Sequence, residues 1–106
     1  MTVKVKGIPF AFDNETTLII PPIAIGMLEQ LQQSIADFKG DVTDSKQVAT
    51  VVDVTHGALT RNYPEMTRAE VGALIDVANM GEVFACVMDV SGLKRKGLNE
   101  GEILGN

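Results

Sequence analysis

Thr17-Leu18-Ile19-Ile20-Pro21-Pro22-Ile23-Ala24-Ile25-Gly26-Met27-Leu28-Glu29-Gln30-Leu31 is where the chain changes character. Ahead of the proline pair the residues suit a strand. Behind it, Ile25, Leu28, Leu31, Ile35 and Phe38 recur at steps of three and four, with Glu29, Gln32, Gln33 and Asp37 on the other side. That spacing predicts an amphipathic helix ending near Gly40. Pro21 and Pro22 cannot continue a strand but can precede a helix. The apolar run from Leu18 to Leu28 is broken by these prolines and by Gly26. It falls short of the about 18 to 20 apolar residues that a bilayer crossing requires.

Working outward toward the N-terminus, Val3 and Val5 alternate with Lys4 and Lys6, and Ile8, Phe10 and Phe12 repeat the alternation around Pro9 and Ala11. A period of two is the strand signature. Gly7 is expected to bend the chain between the two runs, and Pro9 is expected to place the second strand at a sheet edge or to make it begin just past Pro9. Asp13-Asn14-Glu15 is a polar turn before the third run at Thr17–Ile20. The first 22 residues thus predict a β-hairpin or small meander, which needs apolar cover on one face.

Helices supply that cover. Asp44 with Gln47 suits a capping box, and Val48, Val51, Val52, Thr55 and Leu59 mark the buried stripe of a second helix. Tyr63-Pro64-Glu65 ends it, since the residue before proline is pushed out of helical geometry. Thr67-Arg68-Ala69-Glu70 is a second capping box, with Met66 and Val71 placed as a hydrophobic staple. Val71, Leu74, Ile75 and Ala78 are expected to face inward, and Asn79-Met80-Gly81 to stop this third helix. A short fourth helix carries Val83, Phe84, Val87 and Met88 and closes at Ser91-Gly92. The fold class is therefore α+β and mainly helical: a hairpin or small meander, about four α-helices, and a flexible C-terminal tail. One globular domain is expected over residues 1–93, with the tail over residues 94–106.

Composition narrows the function. The chain has 106 residues, 45% hydrophobic, with a formal charge of −5. A chain of this length buries roughly two-thirds of its unfolded surface, enough for one core. Residues 1–93 carry −6, and the remainder, which holds Lys94-Arg95-Lys96, carries +1. An acidic body argues against nucleic acid as partner. The last short helix carries Glu82 and Asp89 and no basic residue, the wrong charge for a recognition helix. Neither a membrane span nor a secretion signal is present in the pattern, and the lone Cys86 fits a reducing compartment. His56 has no second histidine or cysteine at ligand spacing, no carboxylate pair stands out, and no glycine loop would cradle a phosphate. The expectation is a non-catalytic protein without cofactor or metal. Met27, Met66, Met80 and Met88 fall at helix boundaries or on apolar stripes, where they either fill the core or form an adaptable partner groove.

Asn62-Tyr63-Pro64-Glu65-Met66-Thr67-Arg68-Ala69-Glu70-Val71, followed by Leu74-Ile75-Asp76-Val77-Ala78-Asn79 and Val90-Ser91-Gly92-Leu93, resembles the tail assembly chaperones of long-tailed bacteriophages. The front end agrees: such proteins often begin with a short hairpin leading through a Pro-Pro-Ile element, here Ile20-Pro21-Pro22-Ile23, into a helix. The resemblance implies a chaperone that coats the phage tape measure protein until major tail protein polymerises around it. It implies action in the host cytoplasm during tail morphogenesis and absence from the finished virion. Many such proteins are also made in a longer form by translational frameshift near the end of the short reading frame, where Lys94 to Lys96 lie in this chain. On this reading the partner or self-association surface is expected around Tyr63, Pro64 and Met66, with Met80, Phe84 and Met88 as further candidates. A structural head-tail or tail component of the virion and a small helical DNA-binding regulator are the alternatives.

Overall fold

The computed structural model describes residues 5–93. The hairpin is formed by β1 (Ile8–Ala11) and β2 (Thr17–Ile20). Four helices follow: α1 (Ile25–Ala36), α2 (Ser45–Leu59), α3 (Arg68–Leu74) and α4 (Met80–Val90). This is the expected α+β arrangement of a hairpin and four helices. The expected run at Val3–Lys6 lies partly outside the described residues, and Val5 and Lys6 are not in a strand. The tail at 94–106 lies wholly outside them.

The strands pair antiparallel with Ile8 opposite Ile20 and Pro9 opposite Ile19. Phe12 N–H closes the turn on Thr16 C=O at 2.8 Å, and Asp13 accepts from Glu15 N–H within it. Ile19 N–H donates outward, to the Tyr63 hydroxyl at 2.9 Å. Antiparallel ladders alternate bonded and non-bonded pairs, so the Pro9–Ile19 pair is a non-bonded one. Pro9 therefore breaks no bond within the hairpin and leaves the outer edge of β1 without a donor at that position.

Helix α2 is the centre of the fold, touching α1, α3, α4 and β2. Val51, Val54, Thr55, Ala58 and Leu59 are all fully buried on it. Each valine- or leucine-sized side chain taken out of water is worth about 1.5–3 kcal/mol. Ile20, Val71, Val83 and Val87 complete the core from β2, α3 and α4. Val48, expected on the buried stripe, is 37% exposed. Gln47 is also placed differently from expectation. Asp44 caps α2 by accepting from Lys46 N–H, but the Gln47 side chain does not reach back to close a capping box. It accepts from the Lys39 and Gly40 amides and donates to Asp37 C=O, tying the end of α1 to the start of α2.

Helix α1 begins without a side-chain cap and has no fully buried residue. Leu28, Leu31 and Ile35 pack against the core half-buried, whereas Ile25, expected on that face, is 74% exposed. The first turn is held instead through the linker ahead of it. Arg61 donates to Pro22 C=O at 2.8 Å, and Ile23 N–H donates to the Ser91 hydroxyl at 3.0 Å. Helix α1 ends at Ala36, four residues before Gly40, which turns the chain at φ 78°.

The capping box at α3 is complete: Thr67 Oγ1 accepts from Glu70 N–H at 3.1 Å, and the Glu70 carboxylate accepts from Thr67 N–H at 2.8 Å. The helix stops at Leu74 rather than near Asn79, and Ala78 is exposed. Asp76 and Asn79 explain this. Each side chain accepts from the other's backbone N–H at 2.8 Å, and Asn79 Nδ2 donates to Leu74 C=O. Such local bonds compete with helix continuation. Asn79-Met80-Gly81, expected as a stop, is consequently the start of α4, whose Asn79 C=O accepts from Val83 N–H. The far end of α4 closes as expected. Gly92 adopts φ 76°, Leu93 N–H donates to Met88 C=O and Gly92 N–H to Asp89 C=O. This is the glycine-dependent Schellman stop.

Candidate functional site

The turn following α2 sets the position of Tyr63. Its N–H donates to Leu59 C=O at 2.7 Å, its C=O accepts from Met66 N–H, and its hydroxyl caps Ile19. The segment Tyr63–Met66 is thereby held between the end of α2, the outer side of β2 and the start of α3. Met66 is fixed again from α2, where His56 Nε2–H donates to Met66 C=O at 3.1 Å. A carbonyl can only accept, so this bond requires the Nε2–H tautomer.

Tyr63, Met66 and Leu74 are the apolar residues of an open groove of about 450 Å³, completed by Thr16 from the hairpin turn and by Glu65 and Glu70. Glu65 is exposed and has no hydrogen bond or ion pair among the described residues. Glu70 keeps its carboxylate at the groove while serving the α3 cap. The nearest cation in sequence, Arg68, is drawn to Asp53 of α2 at 2.5 Å. The groove is therefore apolar between two carboxylates.

The six expected partner residues separate in space. Tyr63 and Met66 line the groove, and Pro64 is exposed in the turn beside them without lining it. Met80 and Met88 are 4% and 6% exposed and belong to the core, so neither offers surface in this structure. Methionine fills irregular gaps well, and core filling is the role they have here. Phe84 is half-buried elsewhere, stacked on Phe38 with ring centroids 4.0 Å apart. It joins the end of α1 to α4.

Sequence reading missed Thr16 and Leu74 as groove residues. Leu74 is visible as a helical-stripe residue, but nothing in the sequence brings Thr16 to it. Asn62 was missed as well. It is 1% exposed, accepts from Val5 N–H at 2.7 Å and donates to Val5 C=O at 2.9 Å. This clasp joins residues 57 apart and ties the incoming chain to the turn that carries Tyr63.

Burial, with the nearby Asp89 charge, pushes the Cys86 thiol above its ordinary range. The Thr43 hydroxyl and amide hold Asp41 below the usual carboxylate value, in the exposed loop between α1 and α2. Among the described residues no three His, Cys, Asp or Glu side chains gather as a metal site. No described helix is long and apolar enough to cross a membrane.

Compared with protein-family models, with curated proteins and with solved structures, the chain matches none.

Proposed function

We propose that the protein is a non-catalytic tail assembly chaperone that binds the phage tape measure protein and helps recruit major tail protein during tail morphogenesis in the host cytoplasm. The observation that carries this reading is the groove at Tyr63, Met66 and Leu74. It is formed by the segment on which the resemblance rests, and it is apolar between the carboxylates of Glu65 and Glu70. A long helical protein that aggregates needs many weak, adaptable apolar contacts from its holder. Methionine and tyrosine provide them at low conformational cost, and a net negative body discourages indiscriminate association.

The acidic charge also supports this reading over a DNA-binding one. Exposed Glu82 and Asp89 on α4 would face the phosphates of any groove that helix entered. Purified phage particles distinguish a chaperone from a virion component. The chaperone is present in the infected-cell lysate and bound to tape measure protein, but absent from particles. A stoichiometric presence in particles identifies a structural tail or head-tail protein instead.

A further inference from the structure

The groove carries a pattern along its length. Glu70 and Leu74 are four residues apart, so they lie on one face of α3 about 6 Å apart along its axis. Met66 precedes Glu70 at the same sequence interval, and all three line the groove. This wall therefore runs apolar, carboxylate, apolar over about two helical turns. Thr16 of the hairpin turn lines the groove as well, and the hairpin is tied to the α3 side at two points. The Tyr63 hydroxyl accepts from Ile19 N–H at 2.9 Å, and Asn79 Nδ2 donates to Leu74 C=O at 3.1 Å and to Phe12 C=O at 3.4 Å. The carboxylates are left without a counter-charge among the described residues. Glu65 has no hydrogen bond or ion pair there, Glu70 uses one oxygen on its own cap, and Arg68 pairs with Asp53.

We propose that the groove takes a two-turn helical segment of a partner protein whose facing side chains run apolar, basic, apolar at four-residue intervals. The basic side chain lies against Glu65 and Glu70, and the apolar ones cover Met66 and Leu74. A helix presents side chains at that interval on one face, so the partner's pattern meets that of α3 position by position. An extended segment has no such match. Strand addition needs a free sheet edge, and on the outer side of β2 the Ile19 N–H is already taken by Tyr63. The inference rests on the chaperone reading for the protein that supplies the helix, and adds to it the side-chain pattern that is recognised.

Three synthetic peptides of about 16 residues, long enough to form a helix, test this against isotope-labelled full-length protein followed by amide NMR. On an alanine–glutamine background, the first carries leucine, lysine and leucine at four-residue intervals. The second has glutamate for the lysine, and the third has the first peptide's residues at two-residue intervals. The first should give saturable shifts centred on Thr16, Tyr63, Met66 and Leu74. The glutamate peptide should bind at least about fivefold more weakly. Glu65→Gln with Glu70→Gln should bring these two peptides within about twofold of each other, since it removes both charges and keeps an amide able to close the α3 capping box. In the wild-type chain, about 1 M salt should narrow the same preference, because screening then acts within about 3 Å. The salt arm needs no substitution, so it decides the question even where the double variant folds poorly. Shifts centred elsewhere, no saturable binding, or equal binding of the lysine and glutamate peptides to the wild-type chain overturn the proposal. So does equal binding of the third peptide, which assigns the groove to an extended segment. Groove shifts that change on dilution of the protein alone give it to a second copy, and overturn it too. The peptides include no tape measure protein: capture of that protein without peptide discrimination discards this pattern alone, and discrimination without capture discards the chaperone reading alone.

Discussion

Replacing Asn62 by alanine removes the clasp on Val5 and leaves the rest of the turn in place. Two neutral hydrogen bonds are lost, at 2.7 and 2.9 Å, from a side chain that is 1% exposed. Each is worth about 1 kcal/mol net, and the Val5 groups, being half-buried, recover only part of this from water. The expected loss is about 2–3 kcal/mol. For a domain of this size, with a urea m-value of about 1–1.5 kcal/mol/M, the unfolding midpoint should fall by about 2 M. Urea titration followed by circular dichroism and by Tyr63 fluorescence reads this directly. Asn62→Asp sharpens the test, because it keeps an acceptor for Val5 N–H but sets a carboxylate against Val5 C=O. Protonation restores a donor, so the folded-state pKa of that carboxyl should rise above its unfolded value. The variant should then be least destabilised below about pH 4 and lose stability as pH rises through the carboxylate range. An Asn62→Ala midpoint within about 0.3 M of wild type would refute the clasp, since that shift is under about 0.5 kcal/mol.

Gly7→Ala should be more damaging than a glycine substitution in a loop normally is. A Cβ there would collide with Ile20 C=O and with Pro21 N, backbone that cannot move aside without opening the hairpin. A loss of about 2–3 kcal/mol by urea denaturation is expected. Thr55→Val should do the opposite. Thr55 is fully buried on α2 and its hydroxyl has no partner among the described residues. Exchanging it for a methyl should raise stability by about 1 kcal/mol in the same assay. Cys86 should be alkylated at pH 8 more slowly in the folded chain than in urea, because burial and Asp89 disfavour its thiolate. By linkage, the unfolded thiol deprotonates first as pH rises past its ordinary range, so stability falls there, and Cys86→Ser should flatten that fall.

The features legible in the sequence are those set by neighbours along the chain. The alternation at Ile8–Phe12 and Thr17–Ile20 identifies both strands, Thr67 and Glu70 the start of α3, and Ser91-Gly92 the end of α4. What the sequence conceals depends on residues far apart or on competing local bonds. Asn62 gains its meaning from Val5, and Tyr63 from Ile19, across 57 and 44 residues. Gln47 has the right spacing for a capping box, yet the turn after α1 brings three backbone groups within its reach. Asn79 looks like a helix stop but, paired with Asp76, opens the next helix. Ile25 fits the helical stripe by period, but the Pro21–Ala24 linker brings it in at the exposed end of α1. The groove was half legible for the same reason. Tyr63 and Met66 stand in the segment that carries the resemblance, whereas Thr16 reaches the groove only through the hairpin turn.

Co-expression with a phage tape measure protein encoded beside this chain tests the proposed chaperone reading most directly. The tape measure protein should move from the insoluble to the soluble fraction and co-purify with this chain. Met66→Lys, placing a cation on the apolar surface, should lose the complex while the variant itself stays soluble and folded. A tape measure protein that remains insoluble and uncaptured beside the wild-type chain would contradict the proposed function.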